Sequence, residues 1–128
     1  MGVKTMEEEF DFIVEDNQEL TNEFIEQQLL KLPKLIYNQE LLTLDLRKKV
    51  EEAKQTLKDK EAELINAGII DGKNKEARDA QLMMLTKIQQ KELFEAEQKY
   101  QEAIIKLNLL RNYQSTYKSI CRLRYGGD

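Results

Sequence analysis

The sequence predicts an all-α protein: a long antiparallel coiled-coil helical hairpin with a short N-terminal helix at its open end. Three observations carry this. Residues 76–124 read as a single helix of about fifty residues, in which Ala96, Tyr100, Ala103, Leu107, Leu110, Tyr117 and Cys121 alternate at spacings of three and four, broken only by Gln114. Residues 34–66 repeat that period with Ile36, Leu46, Val50, Ala53, Leu57 and Leu64. Finally, 34% charged residues with five glycines and one proline describe extended helices with a thin core better than a globule.

Residues 1–15 form an acidic arm. Phe10, Phe12, Ile13 and Val14 stand behind a Met-Glu-Glu-Glu run, which suits either a short strand-like segment or a flexible, solvated tail. The helical domain then spans 16–125, with helices over about 18–32, 34–66 and 75–124. Asp16 or Asn17 is a suitable N-cap, with Glu19 completing a variant capping box. Leu20, Phe24, Ile25, Leu29 and Leu32 make the first helix sticky on one face, and Pro33 ends or kinks it by removing a donor and crowding the preceding turn. The same proline suits the first turn of the next helix.

Along 34–66, Leu35, Leu42 and Leu44 widen the apolar stripe, while Thr43 and Lys60 interrupt it. The polar face mixes both signs at spacings that allow i,i+4 pairs. Gly68 can supply a left-handed residue that closes this helix, and Asn74 caps the next. Folding about Asp71 sets Leu57 near Leu85, Leu46 near Ala96 and Ile36 near Leu107. The descending helix outlasts its partner beyond about Leu110, so Tyr113, Tyr117, Ile120, Cys121 and Leu123 need either the 18–32 helix or another subunit to cover them. A helix about 70 Å tall, at about 1.5 Å per residue, cannot bury its own stripe. A homo-oligomer is therefore expected, through Leu35, Leu42, Leu109, Tyr113 and Ile120.

Charge is uneven beneath a net −4. Residues 7–26 hold nine acidic side chains and no Lys or Arg; residues 106–125 hold five cations and no acid. That asymmetry suits a polyanionic partner, or attraction between the two ends of the chain. Histidine is absent and Cys121 is the single cysteine, so the chemistry points away from enzymes, metal sites and disulfides. Ser115 and Ser119 have no His or Asp companions, and the Gly-Ile-Ile-Asp-Gly-Lys-Asn-Lys segment lacks the ending of a phosphate loop. No cofactor is implied. No apolar run reaches the roughly twenty residues that span a bilayer, so no membrane role and a cytoplasmic location are expected.

The sharpest candidate site is the terminal block, where Lys106, Arg111, Lys118, Arg122 and Arg124 interleave with Tyr113, Tyr117 and Tyr125. Cations for phosphates beside rings for stacking make a single-stranded nucleic-acid site, with Lys106, Arg111, Tyr113, Lys118, Arg122 and Arg124 as its residues. The same cations equally answer the helix dipole and the acidic leader. Lys73, Lys75 and Arg78 form a smaller basic tip, and Met83 and Met84 an adaptable apolar patch or part of the core.

The layout, Leu-Pro-Lys-Leu-Ile-Tyr-Asn-Gln opening one long helix and Tyr-Gln-Glu-Ala-Ile-Ile-Lys-Leu closing toward Tyr-Lys-Ser-Ile-Cys-Arg-Leu in the other, resembles small phage-encoded helical-hairpin proteins. More distantly it resembles the phage recombination mediator family. That resemblance covers roughly residues 17–123 and rests on helix order, length and seam positions. It implies a ring-like homo-oligomer that binds single-stranded DNA and assists loading of a recombinase over a single-strand binding protein. This sequence departs from the family in its negative net charge and its less basic turn. The alternative is a protein-binding module, such as a phage inhibitor of a host protein complex or an assembly chaperone, with residues 7–26 as its active part.

Overall fold

A computed structural model describes residues 20–126 of the chain. Within them the order is α1 (Asn22–Asn66), α2 (Lys75–Leu85), α3 (Lys87–Cys121) and a π-helical segment, Arg122–Gly126, with no β-strand among the described residues. The protein is all-α. The acidic arm over 1–15 and the cap at Asp16 or Asn17 lie outside the described residues. Leu20 and Thr21 are not helical, so helix onset falls at Asn22 rather than near Gln18. Thr21 is the cap: its Oγ1 accepts from the Phe24 N–H at 3.1 Å and its carbonyl from Ile25 N–H at 3.1 Å.

Pro33 does not end a helix. The helices expected over 18–32 and 34–66 are one helix, α1, with Pro33 inside it, and no separate short N-terminal helix exists among the described residues. Ile25, Leu29, Leu32, Ile36, Gln39, Thr43, Leu46, Val50, Ala53, Leu57, Lys60 and Leu64 are all buried or half-buried, at strictly alternating spacings of four and three. The seam therefore crosses the proline without a phase shift, while Pro33 itself is exposed. A missing N–H and a ring clash cost about 3 kcal/mol in a helix interior, and burial of Leu32 and Ile36 on either side offsets that. Pro33→Ala is accordingly expected to stabilise the fold by about 1 to 3 kcal/mol, read as a higher urea midpoint at unchanged slope.

The chain divides into two compact units, one formed by the described residues up to Ile36 with those from Leu109 onward, the other by Tyr37–Asn108. In the Tyr37–Asn108 unit the core is Val50, Leu64, Ala103 and Leu107 with the polar Gln39 and Thr86. Gln39 Nε2 donates to the Ala103 carbonyl at 3.0 Å, so a buried amide joins α1 to α3. Thr43, one of the expected seam interruptions, satisfies itself by donating to the Gln39 carbonyl at 2.7 Å. Asp45–Lys49, Glu51–Lys54 and Lys60–Glu63 pair along α1 at 3.4, 3.5 and 3.7 Å. These exposed pairs mainly keep the outer face solvated.

The turn follows the expected chemistry. Gly68 takes a φ of +73°, with Gly68 N–H on the Ile65 carbonyl and Ile69 N–H on the Leu64 carbonyl, which closes α1 as a Schellman motif. Asn74 caps α2 by accepting from Ala77 N–H at 2.8 Å. The turn is held further by Gln81, whose side chain accepts from Gly72 N–H and donates to Asp71 Oδ1, each at 2.8 Å, and by Arg78, which donates to the Gly72 carbonyl at 3.3 Å. A Cβ at Gly72 would lie 2.8 Å from the Arg78 backbone nitrogen, so only glycine lets the loop approach α2 this closely.

The helix expected over 75–124 is interrupted at Thr86. Its hydroxyl donates to the Leu82 carbonyl at 2.6 Å, a β-branched back-bond of the kind that bends helices. Gln90 Nε2 donates to Thr86 Oγ1 at 2.9 Å and to the Met83 carbonyl at 3.2 Å. A side chain thus serves a carbonyl at the break.

Candidate nucleic-acid interface

The unit that contains the end of α3 packs Ile25, Gln28, Leu32 and Ile36 from α1 with Leu110 and Tyr117 from α3 as its buried residues. Tyr117 is 2% exposed, its ring edge-on to Phe24 at 6.3 Å and stacked on Tyr113 at 6.2 Å. The surplus end expected beyond Leu110 is therefore covered at Tyr117 by the first turns of α1, which reach it because α1 continues through Pro33. Burial, and secondarily the neighbouring Tyr113, push the Tyr117 phenol above its usual range. Gln28 is 3% exposed, and its Oε1 finds no hydrogen-bond partner among the described residues.

The six proposed nucleic-acid residues are not equivalent in this setting. Arg111, Lys118 and Arg122 are exposed, and with Ser115 they recur at spacings of four, three and four, which puts them on one stripe. Arg124 is exposed but engaged: its Nη1 donates to the Leu20 carbonyl at 2.7 Å and to Asn22 Oδ1 at 2.8 Å, tying the π-helical segment to the entry of α1. Lys106 is half-buried, and both it and Arg111 already interact with other groups. Tyr113 is half-buried with its ring against Tyr117, so one face meets another ring and not a base. Tyr125 is the exposed ring at this end, 58% open.

No family model, curated protein or solved structure matches this chain.

Of the expected oligomer contacts, Leu35, Leu109, Tyr113 and Ile120 are half-buried within the chain, and Leu42 is the exposed one at 47%. More exposed apolar side chains stand elsewhere, at Leu30, Tyr37, Ile105 and, around the Thr86 break, Met83, Met84 and Ile88. The Met pair is exposed rather than core. Phe94 and Ile105 bracket a shallow groove on α3 rimmed by Glu97 and Glu102, opposite in charge to the Arg111–Lys118–Arg122 stripe. Among the described residues no group of three His, Cys, Asp or Glu could hold a metal ion, and no helix is long and apolar enough to cross a membrane.

The stripe was available to sequence reasoning as an i, i+4, i+7, i+11 pattern. Arg124's partners were not, because they lie about a hundred residues away.

Proposed function

We propose that the protein is a non-enzymatic accessory factor in phage DNA recombination, an antiparallel coiled-coil hairpin that self-associates and binds single-stranded DNA. The observation that carries it is the exposed Arg111–Lys118–Arg122 stripe, set in a segment free of acidic residues from Ala103 to Gly126. Cations on one helix face meet phosphates along a strand, and Ser115 adds a neutral hydrogen-bonding group at the turn between Arg111 and Lys118. The hairpin reading is supported by Gln39 and Ala103, which are bonded and equidistant in sequence from Asp71, and by Phe24 and Tyr117, which touch and are within one residue of equidistant from it. Exposed Leu42, together with Leu30 and Tyr37, favours self-association, and the resemblance to recombination mediators supplies a recombinase or single-strand binding protein as the further partner.

Fluorescence anisotropy with a labelled oligothymidine at two salt concentrations tests the DNA part. The wild type is expected to bind more weakly as salt rises, and the triple variant Arg111→Glu, Lys118→Glu, Arg122→Glu to flatten the log-log slope by about 2 and lose about a hundredfold at low salt. Failure of the wild type to bind at low salt, or indifference to the triple reversal, removes this reading.

A second reading, a protein-binding module, is favoured by the exposed Met83, Met84, Leu85 and Ile88 beside the Thr86 break. Flexible thioethers next to an irregular helix fit a partner helix. Capture of a protein from lysate that survives nuclease and is lost in Met84→Glu/Ile88→Glu would support it.

A further inference from the structure

We propose that the acidic leader of this same chain, residues 7–19, docks across the Arg111–Lys118–Arg122 stripe and competes there with polyanions. The stripe is the one on which the DNA reading rests, but internal docking stands or falls without DNA.

Three observations converge. The leader holds seven acidic side chains and no Lys or Arg, whereas α3 and the segment after it carry no Asp or Glu from Ala103 to Gly126. Neither stretch can neutralise itself. The chain also enters the described structure at the basic end: the Leu20 carbonyl is held by Arg124, two residues from Arg122 and six from Lys118. Finally, the reach suffices. Glu7 lies thirteen residue steps before Leu20, a span of up to about 45 Å when extended, against about 20 Å along the helix from Arg124 to Arg111.

Tethering decides which anion wins. Each exposed contact is weak and screened by salt, but a segment leashed this close acts at an effective concentration on the order of millimolar, which favours it over a free polyanion of equal charge. A long nucleic acid carries one phosphate per residue and can displace the leader; a short or dilute one cannot. The occupant is thus a built-in selector for extended polyanions.

The test uses the full chain and a zero-length carbodiimide, which joins a lysine Nζ to a carboxylate only in contact. Lys118 is expected to couple to carboxylates of residues 7–19 within one molecule, as shown by mixing isotope-labelled with unlabelled protein before coupling. The product should vanish in about 0.5 M salt, where the Debye length falls to a few Å. Absence of any leader link to Lys118, or links only between copies, overturns the proposal. In a second measurement the full-length variant Glu7→Gln, Glu8→Gln, Glu9→Gln, Asp11→Asn is expected to bind oligothymidine about tenfold more tightly than wild type at low salt. Equal affinity overturns the competition. If neither protein binds DNA while Lys118 still couples to the leader, internal docking stands and the nucleic-acid reading falls.

Discussion

Tyr117→Ala is expected to destabilise the protein by about 3 to 5 kcal/mol, the range for deleting a buried aromatic ring. The ring is 2% exposed, meets Phe24 edge-on and stacks on Tyr113, so truncation opens a cavity that two other rings line. Relaxation cannot fill it cheaply, because both neighbours sit on helices held by their own backbone bonds. Urea unfolding measures the loss, and a change below about 1 kcal/mol would mean that this end of α3 is not packed as described. Tyr117→Phe is the control for pH. Because the phenol's folded-state pKa is raised, the unfolded chain releases its proton first as pH climbs past the ordinary tyrosine value near 10.0. Stability is therefore fully present below that value and falls as pH rises through the folded pKa. The phenylalanine variant is expected to lose this part of the alkaline decline while keeping the ring's packing.

Leu32→Ala is expected to cost about 3 kcal/mol, whereas Leu30→Ala two positions earlier changes stability by no more than about 0.5 kcal/mol. Leu32 is 0% exposed and Leu30 81%. The contrast measures more than burial. Leu32 lies directly before Pro33, and a helix broken there would free it from the seam it shares with Ile36 and Gln39. Equal effects from the two leucines would mean that the seam does not pass the proline. Paired with Pro33→Ala, the series asks whether burial on both sides is what carries α1 through a residue that disfavours it.

Much of the fold is legible in the sequence because helices announce themselves locally. The seam of α3 from Ala96 to Cys121 needs only the repeat of apolar residues, and the turn needs only Gly68 and Asn74, each with a φ or a side chain suited to its place. The candidate site is legible in part. Cations and their spacing are visible in the string of letters, but exposure is not. Arg124 and Tyr113 carry the same letters as the freely solvated members of their classes, yet one binds the Leu20 carbonyl and the other stacks on Tyr117. The same holds for three of the expected oligomer contacts: Leu35, Leu109 and Ile120 are half-covered by neighbours that are close only after folding.

Pro33 and Thr86 show where local reasoning ends. Proline is the strongest helix-breaking letter in this chain and does not break it; threonine is an ordinary one and does. At Pro33 a few kcal/mol of local preference compete with burial along a seam that involves residues far off in sequence, whereas at Thr86 a back-bond to Leu82 and a bond from Gln90 mark the break. By itself the sequence determines that this chain is helical, where it turns, and which side chains can face inward, because those follow from periodicity and backbone preference over a few residues. Which helix runs on, which bends, and which cations remain open to solvent were decided by tertiary packing, since only the sum of distant contacts outweighs the cost of a proline or fixes a guanidinium on a carbonyl at the other end of the chain.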